Sequence, residues 1–141
     1  MKDSRIAFFL RTALDLSSQS KCERLKVGAI ITSADGEHVF ALGYNGRAKG
    51  SSSPCRGKLY EGNCGCVHAE SNAISKNHGH RLEQKVVFCT HLPCELCAIQ
   101  LINLTGIQSI FYISEYRISE GRTLLSEANI SLVQFPMEDL K

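Results

Sequence analysis

The chain has 141 residues, of which 43% are hydrophobic and 21% are charged, and its formal net charge is +2. This composition fits one folded domain over residues 1–141 and excludes an intrinsically disordered chain. The small charge gives no reason to expect a nucleic-acid partner. The sequence also has no apolar run long enough to span a membrane and no signal-peptide architecture, so we expect no membrane partner.

The first half of the chain predicts a helix, a hairpin and a long loop. Apolar residues repeat at helical spacing through residues 4–18. Two β-rich runs at 27–31 and 39–44, separated by Ala34-Asp35-Gly36-Glu37, indicate a β-hairpin. Residues 45–67 are rich in Gly, Ser and Cys and show no clear period. A segment of this length in a compact domain is typical of a functional or metal-stapled loop.

The second half alternates helices and strands. Helices are predicted from residue 69, from Pro93 to Gly106 and over 119–128, and strands over 86–89, 110–113 and 130–135. Pro93 suits the first helical position, where its missing N–H is not needed. The alternation predicts parallel strands with right-handed crossovers. Together with the hairpin, it predicts a three-layer α/β/α fold around a mixed five-stranded sheet, with ligand sites at helix starts near the strand ends.

Two short strings carry the chemistry, His68-Ala69-Glu70 and Pro93-Cys94-Glu95-Leu96-Cys97. His68, Cys94 and Cys97 supply three zinc ligands, which leaves the fourth position of a catalytic zinc open to water. Zinc lowers the pKa of such a water from about 15.7 towards about 7. Glu70 is not needed as a ligand and can therefore carry a proton. The competing interpretation is a structural zinc knuckle, which normally has four protein ligands.

The His-x-Glu and Pro-Cys-x-x-Cys pattern resembles the signature of zinc-dependent nucleobase deaminases. The chain resembles the cytidine deaminase-like superfamily from about residue 5 to 135, and within it the deoxycytidylate (dCMP) deaminases of phages and bacteria. The strings that carry the closer resemblance are Ser20-Lys21-Cys22, Lys26-Val27-Gly28-Ala29, Gly43-Tyr44-Asn45-Gly46, His68-Ala69-Glu70-Ser71-Asn72-Ala73-Ile74, Pro93-Cys94-Glu95-Leu96-Cys97 and Glu115-Tyr116.

The resemblance implies a cytoplasmic enzyme (host cytoplasm if phage-encoded) that hydrolyses dCMP to dUMP and ammonia for thymidylate synthesis. It also implies a homohexamer, activation by dCTP with Mg²⁺, and inhibition by dTTP. Carried over by position, His68, Cys94 and Cys97 match the zinc ligands and Glu70 matches the proton donor. The positions that the resemblance assigns to substrate binding are Asn45, Ala69 and Tyr116.

A nucleotide also needs a partner for its phosphate, and Arg117 is our first choice because a guanidinium binds phosphate in bidentate fashion. Further candidates for phosphate or effector contacts, each equally compatible with an ordinary surface role, are Arg24, Lys26, Tyr44, Gly46, Arg47 and Lys49. Ala48 replaces a proline that the family often has in this loop, and Leu92 replaces a Ser or Thr. Effector regulation therefore stays open. For His91, we expect a surface or supporting role rather than metal ligation.

Four cysteines lie outside the catalytic set, namely Cys22, Cys55, Cys64 and Cys66. Some phage and bacterial members of the family carry a second, structural zinc on cysteines in these regions. Four thiolates complete a closed tetrahedral site and would hold the long loop in place. The alternative is that they are buried or free thiols. Without a secretion signal, disulfides are the weaker interpretation of a seven-cysteine chain.

Two other functions compete with dCMP deamination. A nucleic-acid editing deaminase, acting on tRNA or single-stranded DNA, would flip its target base out of the strand and require a strongly basic face. The near-neutral charge balance argues against it. A catalytically silent module that binds zinc or nucleotide would release no ammonia at any pH.

Overall fold

The computed structural model describes residues 1–115 and 120–140. Within them the helices and strands are α1 Asp3–Ser17, β1 Gly28–Ser33, β2 Val39–Tyr44, α2 Ala69–Ser75, β3 Lys85–His91, α3 Glu95–Leu104, β4 Ile107–Ser114, α4 Gly121–Glu127 and β5 Ser131–Gln134. A 3-10 helix at Met137–Leu140, which the sequence analysis did not predict, ends the described chain. No helix of the described residues is long and apolar enough to cross a membrane.

The five strands form one mixed sheet in the order β2-β1-β3-β4-β5. β1 pairs antiparallel with β2 and β3, whereas β3, β4 and β5 run parallel to one another. This arrangement confirms the predicted hairpin and the predicted parallel half. The carboxyl ends of β3 and β4 lie side by side, with His91 opposite Ser114. Residues that follow these two strands therefore meet at one edge of the sheet.

Apolar side chains cover both faces of the sheet and produce three layers. Every residue of β1 is buried, and alternate residues point to opposite faces, Ile31 to one and Ile30 to the other. The face with Ile31 packs against α2, α3 and α4, and the face with Ile30 packs against α1. A run of near-continuous apolar residues is expected of a strand buried on both sides. The predicted α/β/α architecture is confirmed.

Glycines at two positions let helices approach the sheet closely. A Cβ on Gly28 would lie 2.1 Å from the carbonyl oxygen of Ala13 in α1. A Cβ on Gly43 would lie 2.4 Å from the carbonyl oxygen of Ala69 and 2.6 Å from the nitrogen of Ala73, both in α2. Because both clashes would be with backbone, no side-chain rotation relieves them. Gly43 thus sets the distance between β2 and α2.

A Gly43→Ala substitution is expected to lower the free energy of unfolding by about 1–3 kcal/mol, the usual cost of overpacking a core. Urea denaturation of the two proteins measures the difference. Gly46→Ala is the matched control, because an added Cβ there meets no atom within 4 Å. Its unfolding free energy should stay within about 0.5 kcal/mol of wild type. Equal midpoints for the two variants would show that α2 does not depend on this contact.

Lys85, the first residue of β3, is buried and its ammonium is enclosed by backbone oxygens. Nζ donates to the carbonyl oxygens of His80, Arg81, Glu83 and Thr105 at 2.8–3.3 Å. Burial lowers the pKa of this ammonium. Since Thr105 caps α3, these bonds join the start of β3 to the end of α3.

Several element boundaries differ from the prediction. β3 extends through polar Lys85, Thr90 and His91, and β4 begins at Ile107 rather than at residue 110. α3 begins at Glu95 with Cys94 as its N-cap, so Pro93 lies before the helix and not at its first position. The predicted start of the last helix, at residue 119, lies outside the described residues. The differences lie at the ends of elements. Polar residues there interrupt the apolar pattern, although the backbone hydrogen bonds between the strands continue.

Candidate metal centre and cavity

The starts of α2 and α3 bring three of the predicted ligands together. His68 is the N-cap of α2, Cys94 is the N-cap of α3, and Cys97 lies one turn into α3. His68 Nδ1 lies 3.3 Å from Cys97 Sγ and 3.4 Å from Cys94 Sγ. A tetrahedral zinc with one nitrogen and two sulfur ligands would separate N from S by about 3.6 Å. The donor set and its spacing therefore fit zinc.

The environment favours a thiolate at Cys94. Hydrogen bonding from Cys97 and then from His68 lowers the pKa of Cys94 to about 3. The same contact with Cys94, together with burial, raises the pKa of Cys97. The first negative charge of the pair therefore resides on Cys94, at the positive end of α3. A thiolate near neutral pH gives the cluster a negatively charged ligand for a metal cation.

Glu70 lies beside this cluster, in the first turn of α2, and its side chain is only 5% exposed. Burial raises the pKa of its carboxyl, and the charge of His68 opposes that effect. Glu70 is not one of the three clustered ligand atoms. The structure thus places a buried carboxylate next to the metal centre without making it part of the cluster.

The metal centre opens into a cavity of about 450 Å³. This volume lies within the range of small-ligand sites. Its floor and walls come from the starts of α2 and α3, the end of β3 and both ends of the long loop. The lining residues that bear on the chemistry are Arg24, Asn45, Ala69, Glu70, His91 and Cys94.

Asn45 and Ala69, both predicted to bind substrate, are on the wall of this cavity. The Asn45 side chain is held by backbone, because Oδ1 accepts from the N–H of Val27 at 2.9 Å and Nδ2 donates to the carbonyl oxygen of Leu25 at 2.6 Å. An amide nitrogen carries two hydrogens, so the second remains for a ligand. Tyr116 and Arg117 lie outside the described residues, and their predicted roles stay predictions.

Arg24 reaches across the cavity mouth to the long loop. Its guanidinium donates to the carbonyl oxygens of Gly57 at 2.9 Å and Gly62 at 2.5 Å, and also to that of Tyr60. Since Gly62 lines the same cavity, Arg24 fixes one wall of it. The sequence analysis considered Arg24 only as a phosphate contact and missed this function, for which the sequence holds no local signal.

The other basic and loop candidates lie away from the cavity lining. Lys26, Tyr44 and Lys49 are exposed. Gly46 pairs through its backbone with Val67 and closes the base of the long loop. Arg47 donates to the carbonyl oxygen of Cys64 at 3.3 Å. Of these residues, the structure gives Gly46 and Arg47 contacts that shape the loop.

The four remaining predicted ligands form a second cluster. The sulfurs of Cys22, Cys55, Cys64 and Cys66 all lie within 4.8 Å of one another, with Cys22 at 4.0 Å from Cys55 and 3.9 Å from Cys64. Zinc–sulfur bonds of about 2.3 Å give a tetrahedral edge of about 3.8 Å, whereas a disulfide requires about 2.05 Å. Hydrogen bonds from the backbone of Glu23 and Gly57 lower the pKa of Cys55 to about 7. The cluster therefore fits a closed zinc site.

A glycine between two of these cysteines is required by its surroundings. Gly65 has φ +92°, and a Cβ there would lie 1.3 Å from Nη1 of Arg47. The glycine lets Cys64 and Cys66, only two residues apart, turn their sulfurs to the same cluster while the Arg47 guanidinium packs over the backbone between them.

The family whose model matches residues 3–114 is the cytidine and deoxycytidylate deaminase zinc-binding region. The chain belongs to this family. The match covers both strings of the metal centre and most of the sheet, and it agrees with the ligand set described above. Membership in a zinc-binding family and a Cys/His cluster with zinc spacing together support zinc as the metal.

The individual relatives described here are deoxycytidylate deaminases. The deoxycytidylate deaminase of Saccharomyces cerevisiae is 30% identical over 146 residues, covering 96% of this chain and 46% of the yeast protein. That of Mycobacterium phage D29 is 32% identical over 122 residues, covering 77% of this chain and 93% of the phage protein. The crystal structure of the cyanophage S-TIM5 dCMP deaminase with dCMP and dUMP has a TM-score of 0.83 at 30% identity, covering 96% and 99% of the two chains. The chain spans less than half the length of the Saccharomyces cerevisiae protein.

Proposed function

We propose that this chain hydrolyses dCMP to dUMP and ammonia. The observation that carries the proposal is the buried carboxylate of Glu70 beside the His68, Cys94 and Cys97 cluster, at the end of a cavity of nucleotide size. Three ligands leave a zinc position open for water, which separates this centre from a structural knuckle. The cyanophage enzyme of the same fold, crystallised with dCMP and dUMP, supports the choice of nucleotide.

His68 Nδ1 and the sulfurs of Cys94 and Cys97 are the groups that would hold the zinc. When bound, zinc supplies Lewis acidity that lowers the pKa of a water from about 15.7 to about 7. Glu70 takes the proton from the attacking water and passes it to the ring nitrogen next to C4 of the cytosine. The remaining hydroxide adds to C4. Glu70 then moves its proton to the exocyclic amine, so that the bond between C4 and the amine nitrogen breaks, the C4 carbonyl of uracil forms and ammonia departs. Burial of Glu70 raises its pKa towards the operating pH, where such transfers are efficient.

Substrate contacts follow from the cavity wall. The second N–H of Asn45 Nδ2 and the backbone at Ala69 are proposed to bind the nucleoside. Tyr116 is proposed to contribute to the substrate pocket because of the family resemblance, and Arg117 to bind the phosphate because a guanidinium does so in bidentate fashion. Arg24 uses three of its N–H groups on the loop, and a guanidinium has five. It is therefore proposed both to hold the wall and to attract the phosphate.

We propose a second, structural zinc on Cys22, Cys55, Cys64 and Cys66. The support is the sulfur spacing and the closed set of four ligands. Cys22, Cys64 and Cys66 also line the proposed nucleotide cavity, so the second zinc would fix the wall that they form. Structural zinc contributes directly to folding free energy.

The remaining properties are proposed from the family resemblance and, for the single domain, from chain length and composition. These are a single domain over residues 1–141, a homohexamer in the cytoplasm, supply of dUMP to pyrimidine metabolism, and control by dCTP with Mg²⁺ and by dTTP. Arg47 contacts Cys64 in the loop where effectors would bind, and Lys49 is an exposed cation near the start of the same loop. The net charge of +2 supports a free nucleotide rather than a nucleic acid as substrate.

Ammonia release from dCMP, CMP, dCTP and deoxycytidine, with and without dCTP and dTTP as effectors, tests the proposal. We expect dCMP to react best and deoxycytidine poorly. An excess of short single-stranded DNA should not compete. Zinc-loaded protein that releases no ammonia from dCMP would favour the silent binding module, and strong competition by the oligonucleotide would favour an editing enzyme.

A further inference from the structure

His91 is a polar group of the cavity that the proposed mechanism does not use. It is the last residue of β3, it is half-buried, and its side chain lines the same cavity as Glu70 and Cys94. It precedes Cys94 by three residues but is not part of either cysteine cluster. The strand that ends at His91 leads directly into the metal centre, so its ring is placed by the rigid sheet rather than by a loop.

A buried hydroxyl determines which ring nitrogen of His91 carries the hydrogen. Thr90 is 1% exposed, and its Oγ1 accepts from the N–H of Gly28 at 3.2 Å. The same oxygen lies 2.9 Å from His91 Nδ1. A threonine hydroxyl has one hydrogen to donate, and among the described residues His91 Nδ1 is the acceptor within its reach. We infer from this that the hydroxyl donates to Nδ1, which places the ring N–H on Nε2.

Burial favours the neutral form of the His91 ring, which keeps one N–H as a donor and one nitrogen as an acceptor. Burial lowers the pKa of His91. Among the described lining residues, Glu70 is the one carboxylate, and it is committed to the metal centre. The wall that includes His91 thus presents hydrogen-bond donors, from Arg24, Asn45 and His91 itself, towards a ligand rich in acceptors.

We propose that His91 binds the substrate by donating from Nε2–H to an acceptor oxygen of the nucleotide, either the 2-carbonyl of the pyrimidine or a phosphate oxygen. This rests on the proposed function, because it assumes that a cytosine nucleotide occupies the cavity. Thr90 is then a positioning residue, since it acts only by holding the ring in the donating tautomer.

The test compares His91→Leu, which removes the donor, with His91→Gln, whose amide nitrogen stands near the place of Nε2. Calorimetry measures the dissociation constants of the products dUMP and deoxyuridine. Loss of a bond to a carbonyl should weaken both ligands by about 3–10-fold, whereas loss of a bond to phosphate should weaken dUMP alone by about 10–100-fold. In both cases KM for dCMP should rise with kcat little changed, and His91→Gln should recover most of the loss.

His78→Leu is the matched control, because His78 is exposed and distant from the cavity lining. Melting temperature and zinc content should be unchanged in all variants, which separates binding from structure. Nitrogen-15 NMR near neutral pH should show that the His91 ring carries its hydrogen on Nε2 and none on Nδ1. In Thr90→Val, the same spectrum should show both tautomers populated.

The results that would contradict this inference differ from the result that would contradict the proposed function. Wild-type turnover of dCMP with unchanged affinities in His91→Leu would overturn the inference and leave the proposed function standing. The opposite tautomer by NMR, or a His91→Gln variant as weak as His91→Leu, would overturn it as well. Absence of dCMP turnover in zinc-loaded wild type would overturn the proposed function and this inference with it.

Discussion

A Glu70→Gln variant is expected to lose about 10²–10⁴-fold in kcat on dCMP, the usual contribution of a positioned general acid–base group. Glutamine has the shape of glutamate but cannot take and return a proton. Because the Glu70 carboxyl is buried and its pKa is raised, a neutral amide of the same size should be tolerated there. Melting temperature and zinc content should therefore match wild type. Steady-state ammonia release from dCMP measures the loss.

Glu95→Gln is the control for this experiment. Glu95 is also a carboxylate in the first turn of a helix at the metal centre, but it is exposed and does not line the cavity. Its kcat should remain within about twofold of wild type, as expected for a surface substitution. If Glu70→Gln retained activity within about tenfold, Glu70 would not be the proton carrier and another group would have to be sought.

Removal of one cysteine ligand is expected to abolish zinc binding at its own cluster and to leave the other cluster loaded. Cys97→Ala should lower the zinc content from about two to about one per chain and abolish ammonia release, because two ligands cannot hold the catalytic metal in its geometry. Cys64→Ala should also leave about one zinc per chain, since it leaves the other cluster with three cysteines. Metal analysis of dialysed protein, together with the dCMP assay, measures both effects.

The two variants should differ in stability as well as activity. Cys64→Ala should lower the melting temperature, because structural zinc contributes to folding and would tie the long loop to the segment between α1 and β1. Cys89→Ala is the control, because Cys89 is buried in the core outside both clusters. It should keep two zinc ions and full activity. Wild-type protein with one zinc, unchanged in Cys64→Ala, would show that the second cluster is a set of buried thiols.

The residues of the candidate metal centre could be predicted from the sequence because, within each string, they lie close together along the chain. His68 and Glu70 are two residues apart on one helix start, and Cys94 and Cys97 are one helical turn apart on another. Such short spacings determine relative direction through helix geometry alone. The order of helices and strands in turn placed the two helix starts at neighbouring strand ends, and the structure confirms the resulting mixed sheet.

The second cysteine cluster could be proposed but not decided from the sequence. Cys22 lies 33 residues before Cys55, and the loop between Gly46 and Val67 has no period from which its path could be derived. Only the folded chain shows that the four sulfurs converge and that three of the four cysteines line the cavity at the metal centre. Loop conformation depends on contacts with the rest of the molecule, which local preferences do not encode.

What the sequence by itself determined was therefore the family, the fold class and the residues of the metal centre, each of which depends on short-range spacing and hydrophobic period. Only the tertiary structure showed the contacts of Lys85, Arg24 and His91. Each is a polar residue that a sequence pattern assigns to the surface. Lys85 and Arg24 instead bond backbone oxygens supplied by distant segments, and the His91 ring lies against the Thr90 hydroxyl, which accepts from an N–H of β1. A buried polar group is stable only where partners converge on it, and convergence is a property of the packed chain.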